Sequence, residues 1–114
     1  MSESPLVDPA AIQNLRELGD DEFLTEIIGI FTDDTPKRMD ELRTSFAAGD
    51  SATFVRAAHS VKGSSSNLGA ERLRVLAEKL EQDAKTDGIA GLDTRIAVLE
   101  ETFRLTAEEL AKLA

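Results

Sequence analysis

The one histidine of the chain, His59, sits in the run Ala58-His59-Ser60-Val61-Lys62-Gly63-Ser64-Ser65-Ser66-Asn67-Leu68-Gly69-Ala70, and the chemistry open to it depends on what stands beside it. On an α-helix, residues three, four and seven positions apart share a face, so Val55, Arg56, Lys62, Gly63 and Ser66 surround the imidazole. Phe54, Ala58, Val61, Ser65 and Leu68, spaced four, three, four and three apart, form the inward stripe of that helix. At about 100° per residue His59 lies about 140° from the stripe and faces solvent. A solitary histidine is ordinarily an idle surface residue or a satisfied core residue. Helical phase removes the second reading. Gly63 weighs against the first, because glycine inside a helix costs about 1 kcal/mol relative to alanine and the helix pattern does not require it. With no β-carbon one turn from the ring, Gly63 leaves room for a bulky group to approach. Lys62 brings a mobile ammonium that can pair with an anion held at the imidazole.

A neutral imidazole is populated near neutral pH and is a good nitrogen nucleophile. Phosphoryl transfer is the reaction that fits an exposed one. Such transfer asks the protein for positioning and charge stabilisation more than for covalent help, and a lysine with a clear approach supplies this side's share. A neutral imidazole needs no general base. Rival chemistries lack parts: with one His and no Cys the usual zinc ligand sets cannot be assembled in one chain, which leaves only carboxylate sites open, and no metal ligand is assigned. Ser60, Ser64, Ser65 and Ser66 lie close by, but neither the strand-to-helix nucleophile turn nor the deep pocket of a Ser-His-Asp hydrolase is expected in a small helical bundle. The serines read as small residues, with Ser65 letting a neighbouring helix come close. Gly63-Ser64-Ser65-Ser66 is no phosphate-cradling loop, because its context is helix rather than strand-turn-helix.

The elements that must hold this face are legible from their periodicity. Four long segments carry a 3.6-residue period and none shows sustained two-residue alternation, which makes the class all-α. A short helix is expected over residues 8–18, with Asp8 as N-cap, Pro9 at its first position, Ile12, Leu15 and Leu18 on its apolar side and Gly19 at its end. A long helix over 20–48 starts at Asp20 and carries Leu24, Ile28, Phe31, Thr35, Met39, Leu42 and Phe46 in one narrow stripe. The stripe keeps its phase through Pro36, which deletes the backbone bond to the Thr32 carbonyl and ordinarily costs roughly 3 kcal/mol, so one kinked helix is expected rather than two. Phe23, Ile27 and Ile30 widen the apolar face of its first half, toward the first helix, a partner, or both. Ala48-Gly49-Asp50 closes that helix and caps the histidine helix over 50–68, which Gly69 ends.

Leu73, Leu76, Ala77, Leu80 and Ala84 stripe a helix over 70–86, and residues 86–91, with two glycines, turn the chain. Ile89, Leu92, Ile96, Leu99, Phe103, Thr106, Leu110 and Leu113 repeat along a last helix over 90–113, a seam suited to antiparallel packing. Amphipathic helices joined by short loops predict an antiparallel up-down four-helix bundle with a short additional N-terminal helix, as a single domain over residues 1–114.

Composition agrees. A chain of 114 residues suits one compact domain. With 41% hydrophobic and 31% charged residues it has material for a core and for a soluble surface. A net charge of −9 opposes binding to nucleic acid, whose affinity for proteins comes largely from Lys and Arg. The absence of Cys excludes a disulfide framework and fits a reducing compartment. The first residues lack the basic and apolar regions of a signal peptide, and the longest apolar run, near Ile27 to Phe31, is far too short to span a bilayer. A cytoplasmic protein without a membrane or nucleic-acid role is expected. A Met1 start and a last helix running to Ala114 fit a free-standing protein.

His59-Ser60-Val61-Lys62-Gly63-Ser64-Ser65, followed by Leu68-Gly69-Ala70 and Leu73, resembles the signature of histidine-containing phosphotransfer (HPt) domains of bacterial and eukaryotic multistep phosphorelays. The likeness extends over nearly all of the chain, through the long helix with its interior Thr35-Pro36, the Ala48-Gly49-Asp50 turn and the bundle architecture. The resemblance implies that His59 accepts a phosphoryl group from the aspartyl phosphate of one response-regulator receiver domain and passes it to another through a phosphohistidine. It gives Lys62 the task of steadying the phosphoryl group and Gly63 that of leaving room for the receiver. The implied partners are receiver domains and an upstream hybrid sensor histidine kinase. Magnesium is expected in the receiver and no cofactor in this chain, which has no kinase activity of its own.

Several members of that family place a glutamine on the following helix beside the histidine. The matching position here is Glu81, with Gln82 next to it. A carboxylate there repels a phosphohistidine unless it turns away or Lys85, one turn on, compensates. Receivers commonly dock on an exposed apolar patch, expected here among Ile12, Leu15, Ile27, Ile28 and Val55, with Arg56 and Ser66 beside His59; the plainer reading is that these apolar residues seal the first helix onto the second. A binding-only bundle that docks a receiver or kinase without carrying phosphate is the alternative function. An acidic homodimer, prompted by the long seam of the last helix, is a structural alternative, although four stripes suffice to close a monomeric core.

Overall fold

The first three helices start at aspartates and stop at glycines. The computed structural model describes residues 4–113, and the expectations attached to Met1 and Ala114 lie outside the described residues. Helix α1 is Pro9–Leu18, with the Asp8 carboxylate accepting from the backbone N–H of Ala10. Helix α2 is Asp21–Ala48, with Asp20 accepting from Phe23 N–H at 2.9 Å. Helix α3, Ser51–Leu68, has Asp50 accepting from Thr53 N–H at 3.1 Å. Helix α4 is Glu71–Asp87 and helix α5 is Asp93–Ala111. Each aspartate satisfies a backbone donor that the first helical turn leaves unpaired.

Gly69 is required twice over. Its φ of 77° is left-handed, and a β-carbon there would sit 2.4 Å from that of Ala11, where α1 crosses the α3–α4 turn. The Asp8 N–H donates to the Gly69 carbonyl at 2.8 Å and ties the start of α1 to the end of the histidine helix.

Helices α2 to α5 form the expected up-down bundle, with α3 packed between α2 and α4, α5 closing against α2 and α4, and α1 lying across α2 and α3. Helix α2 runs unbroken through Pro36. The core holds Leu24 and Leu42 of α2, Phe54, Val61 and Leu68 of α3, Leu73 and Leu80 of α4, and Ile96, Leu99 and Leu110 of α5, all fully buried. Each contributes roughly 1.5–3 kcal/mol of burial. Phe31 and Phe103, with ring centroids 5.5 Å apart, join α2 to α5. Among the described residues no helix is long and apolar enough to cross a membrane.

Several edge positions differ from the expected stripes. Leu18 is 80% exposed, because α1 touches the bundle only through its Ile12 side. Near the tight turn at Gly49 the smaller Ser45 takes the inward place, and Phe46 packs half-buried at the margin of the core. Leu76 is likewise marginal, while the buried face of α4 includes Glu81. Ile89 and Leu92 are apolar parts of the turn before α5, which begins at Asp93 rather than at residue 90.

Candidate functional site

Helix α3 turns His59 outward because Phe54, Ala58, Val61, Ser65 and Leu68 fix the opposite face in the core. The imidazole side chain is 63% exposed. Its Nδ1 lies 3.0 Å from Oε2 of Glu81 on the neighbouring helix. Glu81 is four residues after Ala77 and three before Ala84, so it shares the buried face of α4 and meets α3 at the edge of the core, 4% exposed. Two ammonium groups meet it there. Lys62 Nζ is 3.0 Å from Oε1, and Lys85 Nζ is 3.1 Å from Oε2.

Burial alone pushes the Glu81 carboxyl up, since the charged form loses its water; Lys62, Lys85 and His59 overcome that and bring it down to about 2. Glu81 is therefore ionised near neutral pH. An ionised carboxylate only accepts hydrogen bonds, so in the neutral ring the hydrogen sits on Nδ1 and the lone pair remains on Nε2. Of the two arrangements expected to ease a carboxylate at this position, the structure has the second: Glu81 faces the histidine rather than turning away, and Lys85 is one of its two counter-ions. Lys62 differs from expectation, since its ammonium is held by Glu81 rather than standing free beside the ring. Gln82 is exposed and outside this cluster.

The other flank of His59 is open. A β-carbon built on Gly63 meets nothing within 4 Å. Beyond it a groove of about 440 Å³ runs between α1, α2 and α3, lined chiefly by Leu15, Ile27, Ile30 and Phe31 with Ser64 and Asn67 of α3. Ile30 is 68% exposed. Ser64 and Asn67 follow His59 by five and eight residues, which places the groove about 7–12 Å farther along the axis of α3.

Of the residues expected in an apolar docking patch, the structure brings Leu15 and Ile27 together in this groove and removes two others. Ile12 and Ile28 are buried in the core, where they seal α1 onto the bundle. Val55 is half-buried and, by helical phase, lies on the α4 flank of His59 rather than beside the groove. Arg56 and Ser66 are exposed beside the histidine, with Arg56 Nη2 donating to Thr53 Oγ1 at 3.3 Å. Sequence reasoning missed Ser64 and Asn67 as groove walls; it noted Ile30 only as excess apolar surface, which was the available signal. Among the described residues no group of three or more His, Asp or Glu is arranged to hold a metal ion.

Comparison with known proteins follows the same outline. The crystal structure of histidine-containing phosphotransfer protein B of Pseudomonas aeruginosa PAO1 is similar to this chain with a TM-score of 0.88 and 27% identity, over 96% of this chain and 95% of that one. The phosphorelay intermediate protein rdeA of Dictyostelium discoideum is 30% identical over 94 residues, 79% of this chain and 37% of that protein, so the chain spans little more than a third of the length of that relative. The Hpt domain profile matches residues 26–113, which take in His59, Lys62, Gly63 and Glu81. With more than three quarters of its length under that profile and the bundle to match, the chain belongs to the Hpt domain family.

Proposed function

We propose that the chain is a phosphorelay intermediate in which Nε2 of His59 takes a phosphoryl group from the aspartyl phosphate of one receiver domain and yields it to the aspartate of another. The observation that carries this reading is the 3.0 Å contact between Nδ1 of an exposed ring and the Glu81 carboxylate. With Nδ1 donating there, Nε2 keeps its lone pair, on a helix face that Gly63, one turn on, leaves open. On acceptance the Nε2–P bond forms while the P–O bond to the aspartyl carboxylate breaks. Nδ1 keeps its hydrogen, so the ring becomes a cation next to the Glu81 carboxylate. Donation reverses each of these changes. The developing positive charge is met by a fixed anion, and Lys62, one turn away on α3, turns from Glu81 toward the phosphoryl oxygens.

The groove bounded by Leu15, Ile27 and Ile30 receives an apolar face of the receiver, while Arg56 and Ser66, exposed on the histidine face of α3, meet it beside His59. In this reading magnesium belongs to the acidic site of the receiver and this chain holds no cofactor. The phosphoryl group originates in an upstream hybrid sensor histidine kinase, so the chain by itself neither makes nor hydrolyses it. It acts as a cytoplasmic monomer.

Label transfer tests the proposal. A receiver domain carrying radiolabelled aspartyl phosphate should pass label to the chain as an acid-labile, alkali-stable phosphate. His59→Gln should abolish incorporation with helix content unchanged, since the side chain is exposed. Tight binding without transfer across a panel of receivers would establish the binding-only alternative instead.

A further inference from the structure

We infer that Lys85 is a positioning residue for phosphoryl transfer: it keeps the buried Glu81 neutralised when Lys62 leaves for the phosphoryl group. The inference rests on the carrier role proposed for His59 and adds a residue to it. Glu81 has two cationic partners from two helices, Lys62 of α3 on Oε1 and Lys85 of its own helix on Oε2. One ammonium neutralises one carboxylate, so the second calls for a reason.

Before transfer the cluster holds one carboxylate, two ammonium groups and a ring that is neutral at the moment of attack. The phosphoryl group then adds negative oxygens at Nε2. Lys62 cannot serve both anions at once, because moving its ammonium toward the phosphoryl group strips Oε1 of its partner at a carboxylate only 4% exposed. The ring cation formed on transfer faces Oε2, but it carries the phosphoryl oxygens on its own Nε2 and is offset by them. A buried carboxylate that has lost Lys62 therefore still calls for a second cation. The nearby cations Lys79 and Arg95 are both committed to Asp83. Lys85 lies four residues after Glu81, the favourable order for a helical ion pair, and is on Oε2, the oxygen that Lys62 does not hold, so its pairing does not require Lys62 to stay. Lys85 therefore acts on the reaction through Glu81, without touching the phosphoryl group.

Phosphoramidate, which donates phosphoryl groups to imidazole without any receiver, isolates this effect in the whole chain, with phosphohistidine followed by phosphorus NMR. Lys85→Met should slow phosphorylation of His59 on the order of fivefold, the effect of losing one partly exposed ion pair. The melting temperature of the unphosphorylated variant should stay within about 2 °C of the parent, because Lys62 is still on Glu81 there. Lys85→Arg should restore most of the rate. In a Glu81→Gln background, where no charge needs a counter-ion, adding Lys85→Met should change the rate less than about twofold. Undiminished phosphorylation of Lys85→Met overturns the inference, and so does a loss that persists in the Glu81→Gln background, which would put Lys85 on the phosphoryl group itself. If the parent chain takes no phosphoryl group at His59, the carrier role fails and this inference falls with it.

Discussion

The two flanks of His59 are built on opposite principles. On the α4 side the ring meets Glu81, Lys62 and Lys85, three charged side chains drawn together at the margin of the core. On the α1 and α2 side it meets the empty place left by Gly63 and, farther along, an apolar groove walled by Leu15, Ile27 and Ile30. In the proposed function, orientation of the ring and placement of charge come from the first flank, and access for a large partner comes from the second. A histidine that must face a whole protein domain on one side can be held only from the other. The division explains how one helix turn serves both needs.

The largest expected effect comes from filling the open flank. Gly63→Phe should slow transfer from a phosphorylated receiver about a hundredfold, since misplacement of reacting groups by an ångström has that scale. The fold itself should tolerate the ring, because a β-carbon at position 63 meets nothing within 4 Å. Gly63→Ala, by contrast, should gain up to about 1 kcal/mol of stability in urea unfolding from helix propensity. Equal transfer by Gly63→Phe and the parent chain would break the assignment of this flank to access.

The charged flank predicts a pH effect on stability. In the fold the Glu81 carboxyl is brought down to about 2 from the ordinary 4.5. Between those values the unfolded chain binds a proton that the folded chain does not, so the contribution of Glu81 is complete above pH 4.5 and is lost as pH falls toward 2. Urea unfolding at pH 6 and pH 3 should show a loss in the parent chain that is smaller in Glu81→Gln by up to about 2 kcal/mol, the value without solvent screening of the partly exposed lysines. Asp50, Glu71, Asp83 and Glu101 are also held below their ordinary values by hydrogen bonds from Thr53, Arg74, Lys79 with Arg95, and Arg104, and they titrate alike in both proteins. An unchanged pH slope in Glu81→Gln would mean that the cluster does not hold its charge as described. The smallest effect is in the groove: Ile30→Asp should weaken receiver binding about tenfold by titration calorimetry, because it sets a carboxylate where an apolar contact is proposed, and leave the melting temperature near that of the parent. Unaltered affinity would move the docking surface elsewhere.

Much of this was legible beforehand, and the misses have a common cause. The N-caps at Asp8, Asp20 and Asp50, the left-handed turns at Gly49 and Gly69 and the outward phase of His59 all follow from contacts within a few residues along the chain. Errors gathered at the edges of stripes. Ser45 and Phe46, Leu76 and Glu81 are residues whose burial depends on how far one helix is rotated against the next, whereas Ile12 and Ile28 follow the plainer reading that they seal the first helix onto the second.

By itself the sequence determined the helices, the face that carries His59 and the gap beside it at Gly63, because a helix repeats every 3.6 residues whatever surrounds it. The tertiary structure decided what that face would meet. Residue 81 stands at the border of its stripe, where a small rotation of α4 separates a solvated glutamate from a buried one. Only the packing of α4 on α3 brought its carboxylate to Nδ1 and drew Lys62 and Lys85 onto it, since a buried charge must find its partners within reach. Likewise, Leu15, Ile27 and Ile30 became the wall of one groove, and Ile12 and Ile28 part of the core, through the angle at which α1 crosses α2 and α3.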